Sequence, residues 1–290
     1  MVRLTISIVN FNSGDFLLRC LESLERIRDE VDLEIKVIDN ASNDHSIEKA
    51  KKKFKNVNYI LNKENVGFSM AHNKVLKNLK SEYALVLNPD VEVQKGTLKT
   101  VIDFMDQNPI VGAASCKLIL GTGQMDWASH RGFPTPWASL KYYFLKDDSL
   151  YHLSKADLNK NHEVDAISGA FFLTRKLVLE KVGLFDEKFF MYGEDLDLSL
   201  RIKKMGFKVM YLPQVSALHH KGVSSGLKIH SDHLTTADFE TRQRAFDAFY
   251  KAMEIFYQKN LEKKYPFFVN WLVYLGIKIK WFLAKRKMKV

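Results

Sequence analysis

Four short segments of this 290-residue chain place carboxylates or histidines where they suit chemistry on a phosphorylated ligand. The first, Asn88-Pro89-Asp90, directly follows an apolar run, so one carboxylate is expected to face a crevice. Mg²⁺ keeps several waters and takes oxygen ligands from a substrate's phosphates, which means that one aspartate is enough to hold it on a diphosphate. A plain Asn-Pro turn is the alternative interpretation.

Acidic residues also open a predicted helix in segment 193–201, which follows an aromatic run. The spacing places Glu194, Asp197 and Arg201 on one side of that helix, while Asp195 points elsewhere. Carboxylates in a first helical turn usually serve the helix dipole. Alternatively, a carboxylate at a helix start beneath aromatic side chains is well placed to act as a general base.

The other two segments are Asp39 with its following turn and the pair His219-His220. Asp39 ends a predicted strand, and the polar turn after it can cap the next helix. The functional alternative is that Asp39 accepts hydrogen bonds from a bound base or ribose. Adjacent histidines project differently, so we expect at most one to reach an ion or phosphate. Two surface histidines in a loop are the competing interpretation.

The elements that must position these residues alternate between strand and helix over the first 115 residues. Amphipathic stretches such as Asp15–Ile27 separate the strands, which implies βαβ units and a mainly parallel sheet. Ligands bind beyond the carboxyl ends of such strands, where the polar loops of this chain lie. The predicted strands are Leu4–Val9, Leu33–Asp39, Asn58–Leu61, Tyr83–Leu87 and Val111–Ser115.

Two later segments have a different character. Residues 120–164 form a long insertion with aromatic side chains, which is more typical of a binding loop or lid than of a spacer. Thr235–Lys264 is predicted to form one long helix with an aromatic stripe, a candidate seam for a homodimer. The stripe consists of Phe239, Phe246, Phe249, Met253 and Phe256.

The composition is that of a folded chain, with 46% hydrophobic and 12% aromatic residues. Its formal net charge of +10 is uneven, because Lys259–Val290 holds nine basic residues and one acidic residue, which leaves only +2 for the rest. A nearly neutral body argues against a general nucleic-acid binder. Cys20 and Cys116 cannot form a disulfide framework and lack zinc-ligand spacing, so we predict core thiols in a reducing compartment.

The basic C-terminus contains the apolar run Tyr265–Ile277, about a dozen residues before Lys278 and Lys280 interrupt it. Spanning a bilayer takes ~20 mostly apolar residues, so we predict an interfacial helix on the membrane surface. A helix packed on the protein's own core or on a dimer partner is the alternative. Because the N-terminal segment lacks the features of a signal peptide, we expect a cytoplasmic protein at the inner face of the cell membrane.

Taken in order, these segments resemble the family 2 glycosyltransferases of the GT-A fold, in particular the rhamnosyltransferase-like branch. The resemblance covers residues 3–225. It implies an α/β GT-A fold with a mainly parallel central sheet flanked by helices. The matching stretches are Ser7–Asn12, Val37–Asp44, Asn65–Phe68 with Asn73, Leu87–Asp90, Ser168–Phe172, Val182–Phe190, Tyr192–Asp197 and His219.

The resemblance also implies a role for each matching residue. Asp195 would be the catalytic base, and Asp90 with His219 would hold Mg²⁺ or Mn²⁺. Asn88 departs from the first aspartate of the family's Asp-X-Asp motif. Donor binding is assigned to Val9, Asn10, Phe11, Asp39, Asn65, Gly67, Phe68, Asn73, Asn88 and Asp90, and sugar or acceptor binding to Trp127, His130, Gly169 and Glu194.

The activity implied is inverting transfer of a sugar, with L-rhamnose as the first choice, in cell-surface polysaccharide synthesis. The donor would be dTDP-rhamnose or a UDP-sugar, and the acceptor a glycan or polyprenyl-linked glycan. Because the Gln-X-X-Arg-Trp motif of processive synthases is missing, we expect one or few sugars per acceptor. The domains expected are a catalytic unit at 1–225, with a nucleotide-binding half at 1–115 and an acceptor half at 116–225, and a helical extension at 226–290.

Two other functions compete with this one. A non-catalytic nucleotide-sugar-binding or scaffold subunit would not need both Asp90 and Asp195, so their retention argues against it. A sugar nucleotidyltransferase would need a glycine-rich triphosphate loop, which is absent from Leu4–Gly14.

Overall fold

A single mixed sheet forms the centre of the protein in a computed structural model that describes residues 2–221 and 237–288. All five strands predicted from the sequence are present, and the last extends five residues further, to Leu120. The predicted boundary at 225 and the predicted helix start at Thr235 lie outside the described residues. The strands are β1 Leu4–Asn10, β2 Leu33–Asp39, β3 Asn58–Leu61, β4 Tyr83–Leu87, β5 Val91–Val93, β6 Val111–Leu120, β7 His162–Val164, β8 Phe171–Arg175 and β9 Lys208–His219.

Helices cover this sheet and connect its strands. The N-terminal strands are buried on both faces, as β1 and β4 show, so they read as nearly continuous apolar runs. The helices are α1 Phe16–Glu25, α2 Ser46–Lys53, α3 Phe68–Leu76, α4 Thr97–Gln107, α5 Pro136–Phe144, α6 Lys176–Val182, α7 Glu194–Lys204, α8 Phe239–Asn260 and α9 Phe267–Met288.

The order of the strands changes character at β4. Strands β3, β2, β1 and β4 are parallel neighbours, as the βαβ pattern predicts. Beyond them, β8 runs antiparallel between β4 and β6, while β9 runs parallel to β6. The two short strands β5 and β7 each pair antiparallel with β9. The sheet is therefore parallel in its first half and mixed in its second.

Strand β9 carries the register that matters most for the site. His219 at its end pairs with Val91 of β5 and with Leu120 of β6. The neighbouring His220 donates its backbone N–H to the Asp90 carbonyl at 2.9 Å. This pairing brings the Asn88-Pro89-Asp90 turn and the two histidines, about 130 positions apart in the chain, to the same edge of the sheet.

Helix α8 packs on the rest of the protein through α7. Asn260 and Lys259 of α8 both donate to the carboxylate of Asp197, which is fully buried, at 3.0 and 2.9 Å. Phe246 and Phe256 of the aromatic stripe are buried, and Phe256 packs in a cluster with Phe189. Phe239 and Phe249 stay exposed, so the protein's own chain covers the stripe only in part and the dimer seam stays a prediction.

Helix α9 is longer than the apolar run predicted, at 22 residues. Tyr257 of α8 donates its hydroxyl to the Asn270 side chain at 2.6 Å and packs edge-on against Tyr274. Much of the rest of α9 is exposed. By length and composition alone, Phe267–Arg286 is sufficient to cross a membrane, with a mean hydropathy of 1.3. The helix therefore packs on α8 in part and presents apolar side chains outward in part.

Candidate active site

One continuous cleft runs from the carboxyl ends of the central strands to helices α8 and α9. Its volume is about 2170 Å³, which exceeds the ~300–1,000 Å³ of ordinary small-molecule sites. A cleft of this size has room for two substrates. We call the end beside Asp90 the phosphate end and the end beside Asp195 the acceptor end.

Most of the residues predicted to bind the donor line the cleft, namely Val9, Phe11, Asn65, Gly67, Phe68, Asn88 and Asp90. Gly67 has a φ of +84°, and a Cβ there would lie 2.5 Å from the carbonyl oxygen of Phe190. The next residue, Phe68, donates its N–H to that same carbonyl at 2.6 Å. Only glycine allows this close approach, which fixes Phe68 in the wall.

Asn10 and Asp39 form a hydrogen-bonded pair at the ends of β1 and β2. The Asn10 amide donates to Asp39 Oδ1 at 2.7 Å, and Asn10 is fully buried, so its side chain organises the turn and does not line the cleft. Asp39 also accepts from the hydroxyl and the N–H of Ser42. Oδ2 of Asp39 accepts only the hydrogen bond from the Ser42 N–H, so it has a lone pair free for a further donor. Contact between Asp39 and a nucleobase stays a prediction.

Asn73 does not serve the donor in the way predicted. Its side chain donates to the carbonyl of Phe185 at 2.9 Å and accepts from the Phe185 N–H at 3.2 Å. The residue is buried and does not line the cleft. Both ends of the amide are therefore used to fasten α3 to the loop before α7.

The phosphate end contains a buried carboxylate that faces a buried histidine. Asp90 Oδ1 lies 3.5 Å from His219 Nε2 and has no hydrogen-bond donor within the described residues. Burial opposes ionisation of Asp90, but the neighbouring His219 lowers the pKa of this carboxyl below its ordinary value. His220 faces away and meets Glu92 at 2.8 Å, so only His219 reaches the cleft.

Asp126, in the loop after β6, holds the other side of the His219 ring. Its Oδ2 lies 2.8 Å from His219 Nδ1, and Lys221 donates to its Oδ1. Burial opposes a charged ring, but the carboxylates of Asp90 and Asp126 together raise the pKa of His219 to about 9. Since a histidine whose Nδ1–H is held by a carboxylate presents Nε2 outward, Asp126 fixes the ring for work at Nε2.

These atoms fit a divalent cation held partly by the substrate. A carboxylate oxygen with no protein donor and Nε2 of His219 lie 3.5 Å apart, and a cation bound between them would take the place of the proton on Nε2. In the part of the chain that the structure describes, no group of three or more His, Cys, Asp or Glu residues is arranged as a complete metal site. A two-residue ligand set suits Mg²⁺ or Mn²⁺, which can complete its shell with phosphate oxygens and water.

At the acceptor end, Asp195 is fixed by a buried cation. Arg131 donates from Nη2 to Asp195 Oδ2 at 2.7 Å, and the Gly169 N–H donates to the same oxygen at 3.1 Å. Gly169 lines the cleft, and a Cβ at this position would lie 2.9 Å from the Phe68 ring. The carboxylate predicted as the base is therefore oriented by two donors at the wall of the cleft.

Glu194 lies next to Asp195 and Arg131, and its carboxyl group is buried. Its Oε2 has no hydrogen-bond partner among residues 2–221 and 237–288, and neither has Nε of Arg131. Burial, together with the nearby charge of Asp195, raises the pKa of Glu194 to about 8. This shift favours the protonated form of Glu194, which can donate a hydrogen bond into the cleft that the residue lines.

The predicted face of Glu194, Asp197 and Arg201 is divided between two tasks. Arg201 bonds Asp197 at 2.8 Å and three carbonyls at the end of α6, from Val182 to Leu184, so these two residues are structural. Glu194 alone among the three lines the cleft.

Trp127 and His130 are adjacent in space but not equivalent. Trp127 lines the cleft, as predicted for a sugar or acceptor contact. His130 is fully buried, with Nδ1 at 2.8 Å from the His152 carbonyl and Nε2 at 2.6 Å from Nε2 of His162. The structure therefore gives His130 a role in packing the insertion, and the contact with sugar predicted for it is wrong.

Sequence reasoning missed Asp126 and Arg131, which orient His219 and Asp195. A simple signal was present, since Asp126 is the one acidic residue between Asp106 and Asp147. Likewise, Arg131 is the one basic Lys or Arg between Lys117 and Lys141. Segment 118–140 contains no other Lys, Arg, Asp or Glu, and this isolation marks the two residues as candidates for long-range partners.

Comparisons with known proteins agree with this geometry. A family model described as glycosyl transferase family 2 matches residues 5–183. The chain is 28% identical over 241 residues to an N-acetylglucosaminyl-diphospho-decaprenol L-rhamnosyltransferase of Mycobacterium tuberculosis, covering 77% of this chain and 78% of the relative. It is also 28% identical to rhamnosyltransferase WbbL of Escherichia coli K12, over 48% of this chain and 52% of the relative.

Solved structures share the fold at lower identity. The crystal structure of GalNAc-T7 with UDP, GalNAc and Mn²⁺ aligns with a TM-score of 0.59 and 16% identity, over 89% of this chain and 50% of that one. At this identity the likeness concerns the fold alone.

Proposed function

Because the chain belongs to glycosyl transferase family 2, we propose that it transfers a hexose, with L-rhamnose as first candidate, from a nucleoside-diphosphate sugar to a hydroxyl of a lipid-linked glycan. The family and the GT-A fold predicted from the motifs are confirmed. The choice of sugar is supported by the names of two relatives, both rhamnosyltransferases. We further propose that 1–115 binds the nucleotide, 116–225 the acceptor, and 226–290 the membrane.

The proposed mechanism rests on one observation: Asp90 and Asp195 line the same cleft, Asp90 at its phosphate end and Asp195 at its acceptor end. Asp195 takes the proton of the acceptor hydroxyl as that oxygen forms a bond to the anomeric carbon of the donor. The bond from the anomeric carbon to the diphosphate oxygen breaks, and its electron pair leaves with the nucleoside diphosphate. Attack from the face opposite the leaving group inverts the configuration at that carbon.

The protein groups around each reacting oxygen support this division of labour. Arg131 and the Gly169 N–H hold the Asp195 carboxylate in one orientation, which keeps it aimed at the hydroxyl. Asp90 and His219 would hold Mg²⁺ or Mn²⁺, which supplies a positive charge for the departing diphosphate. Lys221, bonded to Asp126, adds a further cation to this end of the cleft.

A lipid-linked acceptor is supported by the shape and charge of the C-terminus. Helix α9 exposes Phe267, Phe268 and Trp271 and contains no acidic residue. Apolar side chains with lysines nearby are typical of helices that lie in the headgroup region of anionic membranes. The relative from M. tuberculosis is named for a decaprenol-linked acceptor, which agrees with this placement.

The experiment that tests the function is a donor screen on the purified full chain. Release of nucleoside diphosphate would be measured for dTDP-rhamnose and a panel of UDP-sugars, with Mn²⁺ and with EDTA. We expect hydrolysis of one donor, stimulated by Mn²⁺ and suppressed by EDTA. If no donor is bound or hydrolysed, the scaffold alternative replaces the enzymatic one.

Membrane attachment has its own test. The double variant Phe268→Glu, Trp271→Glu should weaken binding to phosphatidylglycerol vesicles by about tenfold or more, since burying each aromatic ring contributes ~1.5–3 kcal/mol. The matched control is Leu61→Glu, an equally exposed residue at the end of β3. Equal vesicle binding by wild type and the double variant would remove α9 from the membrane surface.

A further inference from the structure

The cleft does not end at Asp195 but continues between three helices. Helix α5 forms one wall of this continuation, and α8 with α9 forms the other. We call it the helix groove, and its apolar lining includes Leu140, Tyr143, Phe249, Leu272, Ile279 and Leu283. A ligand bound in the helix groove can therefore extend to the acceptor end of the cleft.

The lining of the helix groove is apolar yet open. Leu272, Ile279 and Leu283 retain 56%, 49% and 52% of their surface, although all three line the same side of the groove. Apolar surface left in water costs roughly 25 cal/mol per Å² relative to burial. A continuous row of such side chains is typical of a site that a ligand covers.

Lys280 introduces a positive charge into this apolar surface. Its ammonium group lies 3.2 Å from the centre of the Tyr143 ring on α5. Neither α5 nor α9 contains an acidic residue, and Asp247 of α8 accepts a hydrogen bond from Trp281, the neighbour of Lys280 in the chain. Burial lowers the pKa of Lys280 to about 8. A half-buried ammonium with no acidic residue on α5 or α9 favours a ligand that brings an anion.

Together these features define a ligand with an anionic head and a long apolar chain. We propose that the helix groove binds the polyprenyl chain of the acceptor and that Lys280 binds its phosphate, which rests on the proposed function. On α9, Lys280 lies between Ile279 and Leu283, so the cation belongs to the same lining as the apolar row.

Gly276 offers a way to block the groove without disturbing the fold. It lines the groove, and no atom lies within 4 Å of where its Cβ would be. Gly276→Leu therefore fills the groove and favours the helix. Lys280→Gln removes the charge. The matched controls are Leu275→Phe and Lys278→Gln, on the same helix but not lining the groove.

The test measures binding of the full chain to neutral phosphatidylcholine vesicles with and without a few mole per cent of undecaprenyl phosphate. We expect the lipid phosphate to tighten binding by wild type and both controls. Gly276→Leu should abolish that gain, and Lys280→Gln should reduce it about fivefold. Geranyl phosphate, which carries the same head on a short chain, should give no comparable gain.

Three results would overturn the proposal. The first is that undecaprenyl phosphate does not tighten vesicle binding by the wild type. The second is that it tightens binding by Gly276→Leu and Lys280→Gln as much as by the wild type. The third is a dimer in light scattering that Gly276→Leu dissociates, because a second copy would then cover the groove. Donor hydrolysis by the same preparations is read separately, so loss of the groove and loss of the proposed function are distinguished.

Discussion

The two ends of the cleft differ in how their buried charged groups are paired. At the phosphate end, charges alternate, with His219 between Asp90 and Asp126 and Lys221 beyond. At the acceptor end, two carboxyl groups share the single cation Arg131, and polar atoms of both Glu194 and Arg131 lack partners within the described ranges.

The phosphate end is therefore largely preformed, with only Asp90 Oδ1 lacking a donor in the described residues, whereas the acceptor end holds an excess of buried carboxyl groups. Alternating charges hold each other in place before substrate arrives, which suits a leaving group of fixed shape. An excess of buried carboxyl groups is instead relieved by keeping a proton or by donating to a hydroxyl. The acceptor end is therefore the part of the cleft whose state depends on pH and on the bound sugar.

The largest effect is expected at the acceptor end, from Asp195→Asn. An amide keeps the size of the side chain but cannot take the hydroxyl proton, so transfer should fall by ~10²–10⁴-fold. Donor affinity, which belongs to the other end, should remain unchanged in calorimetric titration. Near-normal turnover of this variant would remove Asp195 from the role of base.

The next effect tests whether the phosphate end is preformed. Asp126→Asn weakens the bond that fixes the His219 ring, and loss of such a partner typically lowers metal affinity 10–100-fold. The Mn²⁺ concentration for half-maximal donor hydrolysis should rise accordingly.

Glu92→Gln is the matched control for this prediction. It breaks a bond of the same 2.8 Å length to the neighbouring His220, which faces away from the cleft. We expect its Mn²⁺ requirement to stay within about twofold of wild type. Equal shifts in both variants would mean that Asp126 acts on general stability and not on His219.

The same division explains what could be predicted from the sequence. The phosphate end lies at strand ends, and strand ends are visible as apolar runs followed by Asn, Asp or His, so Asn88, Asp90 and His219 were found. Asn73 lies instead inside α3, and its side-chain amide bonds the backbone of Phe185 and not a ligand.

The acceptor end depends on contacts that no periodicity encodes. Arg131 reaches Asp195 across 64 positions, from the connection between β6 and α5. The packing of α8 on Asp197 likewise joins residues 62 and 63 positions apart. An aromatic stripe predicts that a helix face is covered, but only the tertiary structure shows that Phe246 and Phe256 are buried within the chain while Phe239 and Phe249 stay exposed.

The smallest effect is a dependence of stability on pH at Glu194. Its pKa of about 8 in the folded protein exceeds the ordinary value of 4.5, so the folded state keeps a proton that the unfolded chain loses. The free energy of unfolding therefore falls as pH rises through this window. Glu194→Gln cannot ionise and escapes this loss, which should be on the order of 1–3 kcal/mol between pH 6 and pH 9.

Thermal unfolding at pH 6 and pH 9 measures this difference directly. The melting temperature of Glu194→Gln relative to wild type should be several degrees higher at pH 9 than at pH 6. Glu187→Gln is the control, because Asn73 and Lys77 lower the pKa of Glu187, so it is ionised throughout this range in both states. A constant difference for Glu194→Gln across the two pH values would show that Glu194 ionises freely and that the two ends of the cleft compensate their charges alike.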